Sequence, residues 1–332
     1  MATYKGINGF AVQSVATDPS PLDEGQVWYN NATYAFKLAS VTTAGTWAAG
    51  GNLGSARYGS VGAGIQTAAL VAMGGPIPTE GNKSESYNGT SWSSTPNLNT
   101  GRGEGAGGGT QTAAIVFAGR TPTESNATES WNGSSWTTLP ATMNTARYGI
   151  AGCGTQTAAL GFGGYVNPRL VQSASESYNG TSWTNTPSLG TARYRLAGFG
   201  TQTAAIAAGG SIDFGGTKTT ATELWNGSTW TSNPTGLNTA RRGLSAAGIQ
   251  TLAVAFGGMA APGITGATEL WNGSTWTTNP NSMSTGRASY DAGCGTQTEA
   301  LAVGGYTGTA PSAATEEFTG PGSPTTKTIT TS

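Results

Sequence analysis

The chain has 332 residues, 53 of them glycine, with 9% charged residues and a formal net charge of −1. That balance gives no electrostatic reason to expect nucleic acid or an anionic membrane surface as partner, and no run approaches the roughly 20 apolar residues of a membrane span. Histidine is absent, which removes the commonest general base, the commonest metal ligand and every Ser–His or Cys–His dyad, so neither a cofactor nor a metal site is expected.

In chain order, Met1 to Val15 carries one lysine and no apolar stretch, and predicts no secretory signal. Val27-Trp28-Tyr29-Asn30 and Ala35-Phe36-Lys37-Leu38 read as a short hairpin. Its aromatics Trp28, Tyr29, Tyr34 and Phe36, with Tyr4, Ile7, Phe10 and Val12, exceed what a lead-in strand needs. They form a candidate attachment surface, because aromatic anchors dominate interface energies; packing beneath the rest of the chain is the alternative. Residues 1–40 are set apart on this basis as an attachment segment, 41–320 as a repeat domain and 321–332 as a tail.

Within 41–320 one unit recurs six times. Each opens on an arginine, Arg57, Arg102, Arg147, Arg193, Arg241 and Arg287, at spacings of 45, 45, 46, 48 and 46 residues. A Gly-Thr/Ile-Gln-Thr element follows, then an apolar run usually ending in Gly-Gly, an irregular loop, Thr/Ser-Glu, an aromatic-Asn-Gly turn and a tryptophan. Such a period marks a propeller blade or a solenoid coil, each unit burying its apolar face against its neighbours. In the third unit, Arg147 to Gly152 predicts strand A, Thr155 to Phe162 strand B, Ser175 to Tyr178 strand C and Thr181 to Thr186 strand D. Asn179-Gly180 between the last two predicts a type I′ hairpin, which needs positive φ at both central residues.

The sixth unit lacks strand D and its tryptophan after Thr319-Gly320, while Gly45 to Leu53 has the Trp-to-Asn-Leu pattern of that missing piece. The expected fold is therefore an all-β, six-bladed propeller in which an N-terminal strand carrying Trp47 closes the last blade, because an open solenoid would need polar caps that the sequence does not contain. The Gly-Gly after strand B, the aromatic before the turn, the strand-D tryptophans Trp47, Trp92, Trp136, Trp183, Trp230 and Trp276, and the arginine opening each unit together resemble the kelch repeat. Two departures are Gly119-Arg120 in place of Gly-Gly and Thr319-Gly320 in place of Asn-Gly. The opening Gly6-Ile7-Asn8-Gly9-Phe10, with Asp18-Pro19-Ser20 and Gly25-Gln26-Val27-Trp28-Tyr29-Asn30, resembles N-terminal segments of tailed-phage virion proteins, in particular fibre or decoration proteins of marine phages. That resemblance implies a non-enzymatic virion component made in the host cytoplasm, joined to other virion proteins or to its own copies through residues 1–40 and presenting the propeller to a host-surface glycan or protein.

The six arginines and the glutamates Glu85, Glu129, Glu176, Glu223, Glu269 and Glu316 hold fixed repeat positions. A feature present in every blade is expected to hold blades together; an anion-binding ring is the alternative. The glutamines Gln66, Gln111, Gln156, Gln202, Gln250 and Gln297 are read the same way. Glu104 and Asp291, in expected A strands, are the acids placed to face a channel, and they stand as the one candidate pair for glycoside hydrolysis, which needs two carboxyls about 5–9.5 Å apart. Cys153 and Cys294 fall in opposite blades, too far apart for the roughly 4.4–6.8 Å Cα separation of a disulfide.

What varies between units is free of the common packing demand. The B–C loops vary most, and loops on a rigid scaffold are where binding resides. They offer Arg120, Tyr165, Asn167, Arg169, Asp213, Phe214 and Tyr306 as exposed candidates, with Arg195 and Arg242 near the channel mouth. The loops and the terminal segments are expected on opposite faces. A lectin-like or peptide-binding propeller outside any virion, and a glycan-cleaving enzyme, are the rival readings.

Overall fold

The computed structural model describes residues 12–20, 26–41, 44–168, 170–290, 292–322 and 324–329. Among them there is no helix: strands form seven four-stranded sheets and two two-stranded ribbons. The chain divides into two compact units, Met1–Gly45 with Gly320–Ser332, and Thr46–Thr319.

In the first unit, Gln13–Val15 runs parallel to Val27–Asn30, which pairs antiparallel with Ala35–Val41, which in turn pairs with Pro324–Thr328. Within the residues set apart as a tail, Pro324–Thr328 thus form an edge strand of this sheet. Asp18 staples it, accepting hydrogen bonds from Lys37 Nζ, Asn30 Nδ2 and Trp28 Nε1. The bonds from Lys37, then Asn30 and Trp28, pull its carboxyl down to about 2.

The second unit holds six four-stranded antiparallel sheets in the order A-B-C-D. The A strands are Val61–Ile65, Ala106–Gly109, Ala151–Thr155, Ala197–Thr201, Ser245–Ile249 and Gly293–Gly295. Each pairs with its B strand (Ala158–Phe162 in the third sheet), then come C (Ser175–Tyr178) and D (Trp183–Thr186). In the sixth sheet, Thr315–Thr319 takes Thr46–Ala49 as its D strand, with Phe318 opposite Trp47, as the missing tryptophan led us to expect. Each A strand adjoins the A strand of the next sheet, and that of the sixth adjoins that of the first.

Three local expectations need correction. The opening arginine lies ahead of strand A, because Tyr148 bridges to Tyr165 before the strand begins at Ala151. Strand B starts at Ala158, because strand A runs on through Thr155 and Gln156-Thr157 turn the chain between the two strands. The C–D connection is a four-residue loop and not a type I′ turn. Gly180 alone takes positive φ, while the Asn179 side chain accepts N–H bonds from Thr181 and Ser182. An asparagine can supply a local acceptor in place of a left-handed backbone.

The core lies between sheets. Glycines in strand A admit the aromatic that ends strand B of the preceding sheet: a Cβ on Gly152 or Gly198 would meet the Phe117 or Phe162 ring at 2.6 or 2.7 Å. The D-strand tryptophans complete these layers, as Trp183 on Phe117, Trp230 on Phe162 and Trp47 on Phe256.

Candidate functional site

The repeated polar residues are consumed within and between sheets. Six Arg–Glu pairs form, Arg57–Glu85, Arg102–Glu129, Arg147–Glu176, Arg193–Glu223, Arg241–Glu269 and Arg287–Glu316, with arginine side chains no more than 1% exposed. The second carboxylate oxygen accepts a backbone N–H from the residue three places ahead of its partner arginine, from Gly54, Asn99, Asn144, Gly190, Asn238 and Ser284 in turn. Burial lowers the affinity of each guanidinium for its proton, and for all but Arg57 the paired glutamate opposes that shift. Arg57 falls to about 10, with burial the main cause and Glu80 opposing it. Every repeated glutamine reaches back to strand carbonyls of the preceding sheet, Gln66 to Ala300 and Phe318, Gln111 to Ala69 and Tyr87, and so on to Gln297. Every D-strand tryptophan donates its indole N–H to a hydroxyl at the start of the preceding C strand, Trp92 to Thr315 and Trp47 to Thr268 among them.

Just before the A strands, the repeat is broken in a regular way. Gly59, Glu104, Gly149, Arg195, Gly243 and Tyr290 all have φ between 52 and 66°. Four N–H groups in the series, those of Glu104, Gly149, Arg195 and Gly243, bond at 2.6–2.8 Å to the preceding member's carbonyl, and Tyr290 does so at 3.3 Å. Glycine suits this backbone; an L side chain there costs roughly 1–2 kcal/mol. Yet the second, fourth and sixth sheets carry Glu, Arg and Tyr, and these three side chains meet. Arg195 Nε donates to Glu104 Oε2 at 2.8 Å and its guanidinium lies 4.9 Å from the Tyr290 ring centre.

Arg120 completes the cluster. Its Nη2 donates to Glu104 Oε1 at 2.7 Å, so both oxygens of that carboxylate are engaged, and its guanidinium lies 4.8 Å from the Tyr148 ring. Burial works against the Arg195 charge, but Glu104, Tyr290 and Tyr194 outweigh it and hold the guanidinium above its usual range. Burial pushes the Tyr290 phenol up, with Arg195 pulling the other way. Two aromatic groups flank the charges: Tyr306, Tyr58 and Tyr290 on one side, Tyr148, Tyr165, Tyr194 and Phe214 on the other, neighbouring rings 5.0–6.2 Å apart. Beside Glu104 and Arg120 opens a cavity of about 310 Å³ walled by Tyr58, Ile77 and Pro122. A separate cavity of about 120 Å³ is lined by all six A strands, Cys153 and Cys294 included. Both cysteines are thiols, and burial pushes Cys294 up to about 12.

The loop residues singled out from sequence divide. Arg120 and Arg195 join the cluster, and Arg242 sits beside it, donating to the Tyr194 hydroxyl. Asp213 and Phe214 are exposed at the tip of their loop, and Tyr306 is half-buried in the aromatic group. Asn167 is exposed, its N–H donated to Glu124. Tyr165 is 1% exposed and is wall, not surface, because its ring is covered by Tyr148, Tyr194 and Phe214. Arg169 lies outside the described residues, as does Asp291, one of the two acids of the carboxyl pair considered for hydrolysis. Glu104 itself precedes strand A, where its left-handed backbone turns the side chain onto the two arginines. Among the attachment candidates Tyr4, Ile7 and Phe10 are outside the described residues. Trp28 is fully buried on Asp18, whereas Tyr29 packs on Phe36 and Tyr34 is 82% exposed.

Sequence reasoning missed Tyr58, Tyr148, Tyr194 and Tyr290. The first three directly follow a repeated arginine, so a column-by-column comparison of the units would have exposed them, and the same comparison marks Glu104 and Arg195 where other units have glycine. It also realigns the second unit: Ala118-Gly119, with φ +60 and +96, occupies the Gly163-Gly164 position, and Arg120 the Tyr165 position. No protein-family model matches this chain, and no curated protein matches it.

Proposed function

We propose that the six sheets form one closed ring, a six-bladed kelch-like β-propeller, and that this propeller is a non-enzymatic binding component of a tailed-phage virion, of the fibre or head-decoration kind. Closure is supported by the bonds that join the sixth sheet to the first, from Gln66 to Ala300 and Phe318 and from Trp92 to Thr315, and by the strand Thr46–Ala49 completing the sixth sheet. The observation carrying the binding role is the division of charge. Every repeated Arg–Glu pair is buried, whereas the once-only side chains Glu104, Arg120 and Arg195 gather beside a cavity where the dissimilar B–C loops begin. Binding groups belong on irregular loops held by a rigid scaffold.

The virion assignment rests on the resemblance of the N-terminal segment, with Tyr29, Tyr34 and Phe36 as the attachment contacts. Mass spectrometry of purified virions tests it: the chain is expected among the structural proteins, and its absence would sink the assignment. A lectin-like propeller outside any virion is favoured by the aromatic-flanked cavity and would show on a glycan array with no virion present. Hydrolysis is the weakest reading, because both Glu104 oxygens are already held by guanidinium groups.

A further inference from the structure

We infer that the cavity beside Arg120 takes an acidic sugar, its carboxylate on the Arg120 guanidinium and its ring against Tyr58. The inference rests on the binding role proposed above and adds the ligand class.

The cavity, at about 310 Å³, lies at the small end of ligand sites, which run about 300–1,000 Å³, and suits one ring-sized group. The Arg120 side chain is 39% exposed, and among the described residues its one side-chain acceptor is Glu104, reached through Nη2. A guanidinium has five N–H donors in a planar fork that matches a carboxylate. Here the fork is fixed in advance, stacked on Tyr148 and tied to a glutamate that is itself tied to Arg195. Pre-ordering of this kind removes a cost that a flexible surface arginine would incur on binding.

Charge favours an anion. Among the described residues of the cluster, Arg120 and Arg195 share the single carboxylate of Glu104, and Arg242 stands close by with a hydroxyl partner. The remaining walls favour a ring over a bare ion: the half-exposed Tyr58 face, with Ile77 and Pro122 exposed beside it. An aromatic face opposite a charged fork suits a pyranose, whose C–H face is apolar and whose edge is polar.

The test is calorimetric titration of the full chain with trigalacturonate, with galactotriose as the neutral analogue and sodium acetate as the bare carboxylate. The acidic trimer is expected to bind at least about tenfold more tightly than either, in line with the strength of charge-assisted hydrogen bonds. Arg120→Gln is expected to lose at least about tenfold of that affinity, and Arg120→Lys, which keeps a cation for Glu104 but not the fork, to lose a similar amount. Absence of trigalacturonate binding, equal affinity for galactotriose or acetate, or wild-type affinity in Arg120→Lys would each overturn the inference. A different glycan bound on an array would then leave the binding role standing while this ligand class falls.

Discussion

The molecule places arginine opposite glutamate in two settings that differ in their access to water. In the repeated pairs both partners are shut away, Arg102 and Glu129 both at 0% side-chain exposure. In the cluster at Glu104 the acid is buried but its arginines are not, Arg120 at 39% and Arg195 at 20%. The first setting leaves a removed partner's charge stranded, at a cost of about 3–5 kcal/mol; in the second, loss of the acid leaves arginines that reach water, so the cost is expected to lie closer to the about 0–1 kcal/mol of exposed pairs. The same chemistry therefore serves structure six times and, in the function proposed here, recognition once. Repetition marks the first, and interruption of the repeat marks the second.

Trp47 belongs to the repeated set although it comes from outside the run of units, and it sharpens the comparison first. Its half-buried indole packs on Phe256 and Phe318 and donates to Thr268. Trp47→Ala is expected to cost about 2–3 kcal/mol in denaturant unfolding, below the roughly 3–5 kcal/mol of a fully buried tryptophan; no loss would show that the closing strand contributes nothing.

Gly149→Ala probes the interrupted position where no side chain has a partner to gain. It adds a left-handed alanine whose Cβ would meet Arg195 Cγ at 3.2 Å, and is expected to destabilise by about 1–2 kcal/mol. A neutral result would remove strain from the description of Glu104, Arg195 and Tyr290.

The smallest effect concerns Asp18, an ionic staple of the first unit whose acid is partly exposed. Its pKa is depressed from 3.8 to about 2 in the folded chain. Its contribution is therefore complete above the ordinary carboxylate value and fades as pH falls towards 2. The Trp28 indole N–H resonance, read by NMR, is expected to hold its position down to about pH 3 and shift below it. Movement centred near 4 would show that the staple is weaker than drawn.

Most of the framework was legible because six copies average out local noise. The Arg–Glu pairs, the glutamine ties and the tryptophan layer all fall where a fixed column predicts, and the absence of a tryptophan after Thr319 pointed to Trp47. Strand limits and turn type were less legible. The run 155–162 does not show that Thr155 ends one strand and that Gln156-Thr157 turn the chain into the next, and Asn-Gly suits two different loops. The site was half legible. Arg120 and Arg195 stood out as irregular loop and mouth residues, but Tyr58, Tyr148 and Tyr194, which directly follow three of the six arginines, looked like part of the repeat. The convergence of Glu104, Arg195 and Tyr290 depends on backbone φ that sequence alone hides. Trp28 and Tyr165 were read as surface because aromatic bulk does not reveal direction.

Paired calorimetric melting of Glu129→Gln and Glu104→Gln addresses the division between structural and recognition charges most directly. Each substitution removes one carboxylate charge facing arginine and keeps the volume. Glu129→Gln strands Arg102 without water, so its melting temperature is expected to fall by roughly 5–9 °C. Glu104→Gln leaves two hydratable arginines and is expected to fall by no more than roughly 3 °C. Equal falls, or a larger fall for Glu104→Gln, would contradict the division.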